Sequence, residues 1–341
     1  MLHLFALLVA ASTALLIFAG GMVTSTGSGL SVPDWPNTYG WFMFSFPVEY
    51  WVGGIFYEHT HRLIASTVGF FILVLAIWLW RAEPRAWVRR LGYIALGAVI
   101  TQGILGGLTV RYLLPDPISI AHASLAQIVF CLTVTIALVT SRGWRTASNA
   151  GTAGGSDAGR AFTAAHDDRT LQRMAVLTTA AIYLQIVVGA TMRHTDAGLA
   201  IPDFPWAFGH LVPPHWDAKI AVHFAHRVGA LFVSVLILAT AGHLFYHHRR
   251  ARSLARGASL LVVLVAAQVT LGALTVLSGK HHIINSLHVV TGASVLATSL
   301  VLTLRVHRHR FADSAPFSVR VNSRQEDGTP AHAHRGARAR A

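Results

Sequence analysis

Cysteine is almost absent from this chain: among 341 residues there is one, Cys131, inside an apolar run. A single thiol excludes an intrachain disulfide framework and any Cys-based zinc or iron–sulfur site. Charge is also scarce. Asp, Glu, Lys and Arg make up 12% of the residues, against roughly 25% in soluble domains, while 53% are hydrophobic. That balance excludes an ordinary soluble enzyme and a disordered chain. Acidic residues are the rarest, 14 Asp+Glu against 27 Lys+Arg, for a formal net charge of +13. In a soluble protein this excess would point to nucleic acid. Here the basic residues lie between long apolar runs, so membrane topology accounts for them and no nucleic-acid partner is expected.

What the chain has is apolar length. A span needs roughly 20 mostly apolar residues to cross a ~30 Å hydrocarbon layer. Eight stretches qualify, at residues 4–23, 56–80, 91–110, 118–140, 174–192, 220–245, 258–277 and 284–304. They predict an all-α integral membrane protein. The first is not read as a signal peptide, because Met1-Leu2-His3 carries no Lys or Arg and no clean cleavage site follows. Lys and Arg sort to one side: four in residues 81–90, five in 142–173, four in 249–256 and eight from Arg305 onward. The other side holds only Arg111, Arg193, Lys219 and Lys280, and Arg62 and Arg227 lie inside spans. The positive-inside rule then places both termini in the cytoplasm and the protein in the plasma membrane, with the long loops facing outward. Trp35, Trp41, Trp51, Trp206 and Trp216 read as interfacial belt residues.

The two halves of the chain match at an offset of 165 to 169. Gly29-Leu30-Ser31-Val32-Pro33-Asp34-Trp35-Pro36 answers to Gly198-Leu199-Ala200-Ile201-Pro202-Asp203-Phe204-Pro205. Glu58-His59-Thr60-His61-Arg62 answers to His223-Phe224-Ala225-His226-Arg227, Gln102 to Gln268, and His122 to His288. Each half has four spans, so the repeats are parallel and predict two four-helix bundles. The expected division is an N-terminal half at 1–140, a cytoplasmic linker at 141–172, a C-terminal half at 173–305 and a disordered tail at 306–341. The spacing of Gly103 and Gly107 reads as close helix packing, with room for a flat ligand as the alternative.

Four histidines, His61, His122, His226 and His288, fall about one turn inside the outer ends of spans 2, 4, 6 and 8. Polar residues at membrane depth are costly and mark function, and four at matched positions point to metal ligation. Zinc needs four N/S/O ligands, or three plus water, so a repeated two-His site is too poor for it. A di-iron site needs two Glu-x-x-His motifs and further carboxylates. Glu58-x-x-His61 is one such motif, but position 223 in the other half is His. Haem remains, because its porphyrin supplies four nitrogens and the protein only axial imidazoles. Two pairs, His61/His122 and His226/His288, fit two haems. Arg62 and Arg227 each follow a ligand candidate and are read as partners of haem propionates, with snorkelling as the alternative. His59 is read as interfacial. His223 shares a face with His226 and lies at the haem edge or the interface.

Together, these eight spans with Glu58-x-x-His61-Arg62, His122, His226-Arg227 and His288 resemble the haem A synthase family. The resemblance covers all eight spans and leaves out the tail. It implies oxidation of the C8 methyl of haem O, by successive hydroxylations, to the formyl of haem A, which supplies haem-copper oxidases. It implies substrate haem O in the first half and a haem b cofactor in the second. Catalytic roles then fall to Glu58, His61 and His122, and cofactor binding to His226, His288, Arg62 and Arg227. Haem O synthase, oxidase assembly factors and a second copy of the chain are the partners it brings to mind beside membrane lipid. Many bacterial members carry a cysteine pair in the first outer loop. This chain has none there, so a loop-thiol mechanism is closed to it.

Glu58 adds an asymmetry read from the residues alone. It occurs only in the first half, three residues before His61 and on its face. Its chemical role there would be to handle protons or stabilise positive charge. Its structural role would be favourable charge at a helix N-terminus. A b-type cytochrome that only transfers electrons and a haem carrier are the competing classes. Neither needs the isolated carboxylate, and a cytochrome would favour haems at different depths.

Overall fold

The computed structural model describes residues 1–149 and 164–314. Eight helices in it are long and apolar enough to cross a membrane. They are α1 (Leu2–Ser25), α2 (Gly53–Ala82), α3 (Ala86–Arg111), α4 (Asp116–Thr140), α5 (Arg169–His194), α6 (Ala218–His248), α7 (Arg252–Leu277) and α8 (His282–Val306). Among the described residues there is no strand, only the isolated bridges Thr38–Trp41 and Ala207–His210. The protein is an all-helical, multi-pass membrane protein.

The helices run past the apolar stretches because their ends are set by caps and prolines, not by hydropathy. Pro84 follows α2 and forces an extended residue before it. Pro117 sits in the first turn of α4, where its missing N–H costs nothing. Asp168 caps α5 by accepting from the Leu171 amide, and Asp217 caps α6 by accepting from Ile220. The four ligand candidates consequently lie six to eight residues into their helices. That is roughly 9–12 Å along the axis, deeper than the single turn expected from hydropathy.

In the first half α1 packs on α2 and α4, and α3 closes the ring between them. In the second, α5 packs on α6 and α8, and α7 closes the ring. The halves meet where α1 and α4 touch α5 and α8. The apolar core is uneven along the helices. Ile72, Leu75, Leu79 and Ile136 fill the first ring, and Leu244, Leu254 and Leu261 the second, all at 1% exposure or less. These residues sit in the half of each ring that faces the two termini. The half that faces the long loops is left for histidines, glycines and a cavity.

At the terminal face Glu83 is buried and accepts from Arg85 at 2.6 Å and Arg145 at 3.0 Å. Burial pushes its carboxyl up, but the bonds and charges of Arg85 and Arg145 outweigh this and hold it below the ordinary range. The expected linker begins as a short helix, Arg142–Asn149, and residues 150–163 lie outside the described residues. The expected tail differs at its start. Residues 308–314 form a 3-10 helix, Arg308 donates to the carbonyl of Trp144, and Phe311 packs on Trp87 and Trp144. An aromatic anchor therefore overrides the polar composition there. The rest of the tail, with His332 and His334, lies outside the described residues.

Candidate functional site: two histidine pairs on one cavity

A cavity of about 1720 Å³ occupies the loop-facing half of the helices and runs across both halves of the molecule. It exceeds the roughly 300–1,000 Å³ of a site for one drug-sized ligand. His61, His122, His226 and His288 all line it. In the second half the two imidazoles lie edge-on to each other, with ring centroids 6.5 Å apart and planes at 73°.

Each imidazole is seated against a glycine of a neighbouring helix. A Cβ added at Gly20, Gly106, Gly189 or Gly272 would lie 3.0, 3.1, 2.8 and 3.0 Å from Cε1 of His61, His122, His226 and His288 respectively. Any larger residue at these positions would push a ring out of place. This revises the packing expected of Gly103 and Gly107. Gly103 has open space beside it, and a Cβ at Gly107 would lie 2.7 Å from the Trp35 ring. Gly107 receives a loop tryptophan, not a helix.

The ring nitrogens distinguish the pairs. His288 Nδ1 lies 3.1 Å from the Gln268 carbonyl, so its N–H donates there, and the Gln268 side-chain amide donates to Nε2 at 3.4 Å. His226 Nδ1 lies 3.0 Å from the Gln185 side-chain amide, which also donates to the His226 carbonyl at 2.7 Å. His61 Nδ1 and His122 Nδ1 are buried with no hydrogen-bond partner among the described residues. Gln102 reaches only the His122 carbonyl, at 2.9 Å.

Next to the histidines, each long loop is tied down by the helix below it. Glu58 accepts from the Val32 amide at 2.8 Å and from Arg62 at 2.5 Å. In the other half the Ile201 amide donates to His223 Nδ1 at 3.2 Å. Glu58 and His223, 3% and 2% exposed, thus hold equivalent loop amides with different chemistry. Arg62 donates to the carbonyls of Val32, Asp34 and Asn37 at 2.9, 2.6 and 3.0 Å. Arg227 donates to those of Ile201, Asp203 and Trp206 at 3.1, 2.7 and 2.7 Å. Both arginines line the cavity, and their guanidinium donors are engaged with loop backbone.

The loops themselves turn on a carboxylate. Asp34 accepts from the amides of Tyr39 and Gly40, and Asp203 from those of Phe208 and Gly209. Burial acts to raise the Asp34 carboxyl, but the Gly40 and Tyr39 amides hold it below the ordinary range. The Gly209 amide does the same for Asp203.

The remaining histidines differ from expectation or stay apart. His59 is not interfacial but fully buried. Its Nδ1 lies 3.1 Å from Thr38 Oγ1, and Phe46 and Trp51 cover its ring, because the first loop folds down over α2. His210, His215, His281 and His282 do not line the cavity. Of the belt tryptophans, Trp35, Trp41, Trp206 and Trp216 are about half exposed. Sequence reasoning missed Gln185 and Arg193. Arg193 bridges the halves by donating to the Gly21 carbonyl at 2.6 Å and Ser25 Oγ at 2.9 Å. Its one signal was a cation on the side where cations are few.

A model of the COX15-CtaA family of cytochrome oxidase assembly proteins matches residues 43–300. The chain belongs to this family. Among its relatives, a protein of Symbiobacterium thermophilum named heme A synthase is 30% identical over 316 residues, 89% of this chain and 97% of that protein. Proteins of the same name from Geobacillus kaustophilus and Halalkalibacterium halodurans are 27% and 26% identical, over 89% and 88% of this chain and 94% of each relative. The resemblance read from the histidine motifs and the family assignment agree.

Proposed function

We propose that this protein is a haem A synthase, an oxidoreductase that takes haem O as substrate and converts its C8 methyl to the formyl of haem A by successive hydroxylations. The observation that carries the reading is the pairing of four glycine-seated imidazoles on one cavity, with Glu58 on the helix of one pair where the other half has His223. The donor set fits haem. Haem asks the protein for one or two axial imidazoles, and His226 and His288 lie on the cavity with ring centroids 6.5 Å apart.

The substrate site is the slot of His61 and His122, in residues 1–140. These two side chains hold the substrate iron. Their Nδ1 atoms are untethered, which suits a slot that must release its product. Glu58 supplies negative charge where positive charge develops as the methyl is oxidised. Arg62 acts through the loop it holds, closing residues 32–37 over the slot. In the second half, residues 173–305, His226 and His288 would hold a resident haem b, and Arg227 fastens the matching loop. Haem b bound there would supply one-electron redox chemistry. The Gln268 carbonyl accepts from His288 Nδ1–H and orients that ring as partners of metal-bound imidazoles do, while Gln185 donates to His226 Nδ1 and holds its ring in place.

The partition of Lys and Arg supports a plasma-membrane location with both termini cytoplasmic. Reporter fusions after Asn37 and after Arg250 are expected on opposite sides, and the same side for both would overturn the topology. The activity is tested by extracting haem from membranes that hold this protein and a source of haem O. Haem A in the extract is the expected result. Unchanged haem O would overturn the proposal in favour of electron transfer alone.

A further inference from the structure

At the end of the molecule away from the haem cavity, the second half holds another cluster of ligand-type side chains. Asp168 caps α5, and its Oδ1 accepts from the Leu171 amide at 2.9 Å. Its Oδ2 is left to two imidazoles of the last turns of α6, with His243 Nε2 at 2.7 Å and His248 Nε2 at 2.8 Å. One ligand atom from each of the three residues lies within 4.8 Å of the others. The side chains are 19%, 9% and 18% exposed for His243, His248 and Asp168. Solvent can therefore complete a coordination shell.

A carboxylate accepting from two imidazoles would by itself serve as a staple between helices. Three features go further. Both imidazoles aim the same nitrogen at the same oxygen, so three donors converge on one small volume. The set is two histidines and one carboxylate, the protein share of a zinc-type site completed by water. One carboxylate with two nitrogens is a poor set for calcium or magnesium, which take oxygen ligands. We propose that Asp168, His243 and His248 bind one divalent transition-metal ion of the zinc type, fixing the start of α5 against the end of α6. The ion replaces two Nε2–H to carboxylate bonds. Each Nε2 that ligates the ion gives up its proton, which passes to Nδ1 of the same ring or to solvent.

The test uses full-length protein without a polyhistidine tag, purified in detergent with its haem and titrated with Zn²⁺. Bound zinc is measured by elemental analysis after loosely held metal is removed. The wild type is expected to retain one equivalent more than the His243→Ala/His248→Ala double variant. Asp168→Asn keeps a capping oxygen for α5 and is expected to weaken binding about tenfold or more. The haem absorption spectrum reports whether each variant is folded. Zinc-edge X-ray absorption on the wild type gives a reading that needs no variant, with two imidazole nitrogens expected at about 2.0–2.1 Å. Equal zinc in the wild type and the double variant, unchanged affinity in Asp168→Asn, or a zinc shell lacking two imidazoles would each overturn the proposal.

Discussion

The two halves put the same parts in the same places and finish them differently. In both, a long loop is hooked by an arginine to the helix beneath it, and two imidazoles rest on glycines at one cavity. In the second half the imidazole Nδ1 atoms are held by Gln185 and by the Gln268 carbonyl. In the first half they have no partner among the described residues. The loop amide is met by His223 in one half and by Glu58 in the other. A tethered imidazole is pre-oriented. An untethered one gives up less when its ligand leaves. Under the function proposed above, the difference would separate a slot that keeps its haem from a slot that exchanges it.

The largest effect should come from removing the imidazoles. His226→Ala or His288→Ala should strip most of the resting haem b absorption from the purified protein. His61→Ala or His122→Ala should largely spare that absorption and abolish conversion of haem O. The reverse pattern would exchange the roles of the halves and leave the enzyme class standing.

Next comes the carboxylate. Glu58→Gln should leave haem content near wild type and lower haem A formation by about 100-fold, the scale of a lost acid–base or charge-stabilising group. Hydroxylated haem should accumulate. Glu58→His installs the residue of the other half, so it should keep the loop contact and still lose conversion. If Glu58→His converts haem O as well as the wild type, Glu58 is an anchor for the Val32 amide and nothing more.

A smaller effect isolates the tether. Position 185 corresponds to Leu16 in the first half, so Gln185→Leu makes one haem b ligand resemble its counterpart. Removing such a partner typically costs 10–100-fold in affinity. The expected outcome is a haem b signal that survives purification but is lost that much faster to a haem-accepting protein such as apomyoglobin. An unchanged release rate would leave the asymmetry of the Nδ1 atoms without consequence.

Much of this arrangement is legible in the sequence. Span count follows from a local property, about 20 apolar residues in a row, and the ligand candidates follow from matched positions in the two halves. The helix ends are less legible, because Asp168 and Asp217 start α5 and α6, and the prolines bound α2 and α4, outside their apolar cores. His59 is misjudged because Thr38, Phe46 and Trp51 of the preceding loop fold over it. Gln185 and the seating glycines are invisible one residue at a time, since their meaning depends on which helix faces which. Asp168 and His243 are 75 positions apart, and nothing local couples them.

The smallest expected effect concerns the terminal face, where the first half relies on a charge that the haem chemistry does not use. Glu83 is buried between Arg85 and Arg145, and its folded-state carboxyl lies below the ordinary carboxylate range. A carboxylate depressed on folding adds stability that is fully present above its unfolded value. That stability is lost as pH falls through the folded value. The thermal midpoint of the wild type should therefore decline as pH falls below about 4.5. Glu83→Gln should flatten that part of the profile. At neutral pH it should cost about 1–3 kcal/mol, the scale of losing bonds to a charged partner, and the haem spectra of both pairs should be unchanged. Because Arg145 lies in the short helix Arg142–Asn149 that follows α4, a change in haem b absorption on Glu83→Gln would reveal coupling between the terminal face and the cavity. The comparison of the two halves would then have to extend beyond the site itself.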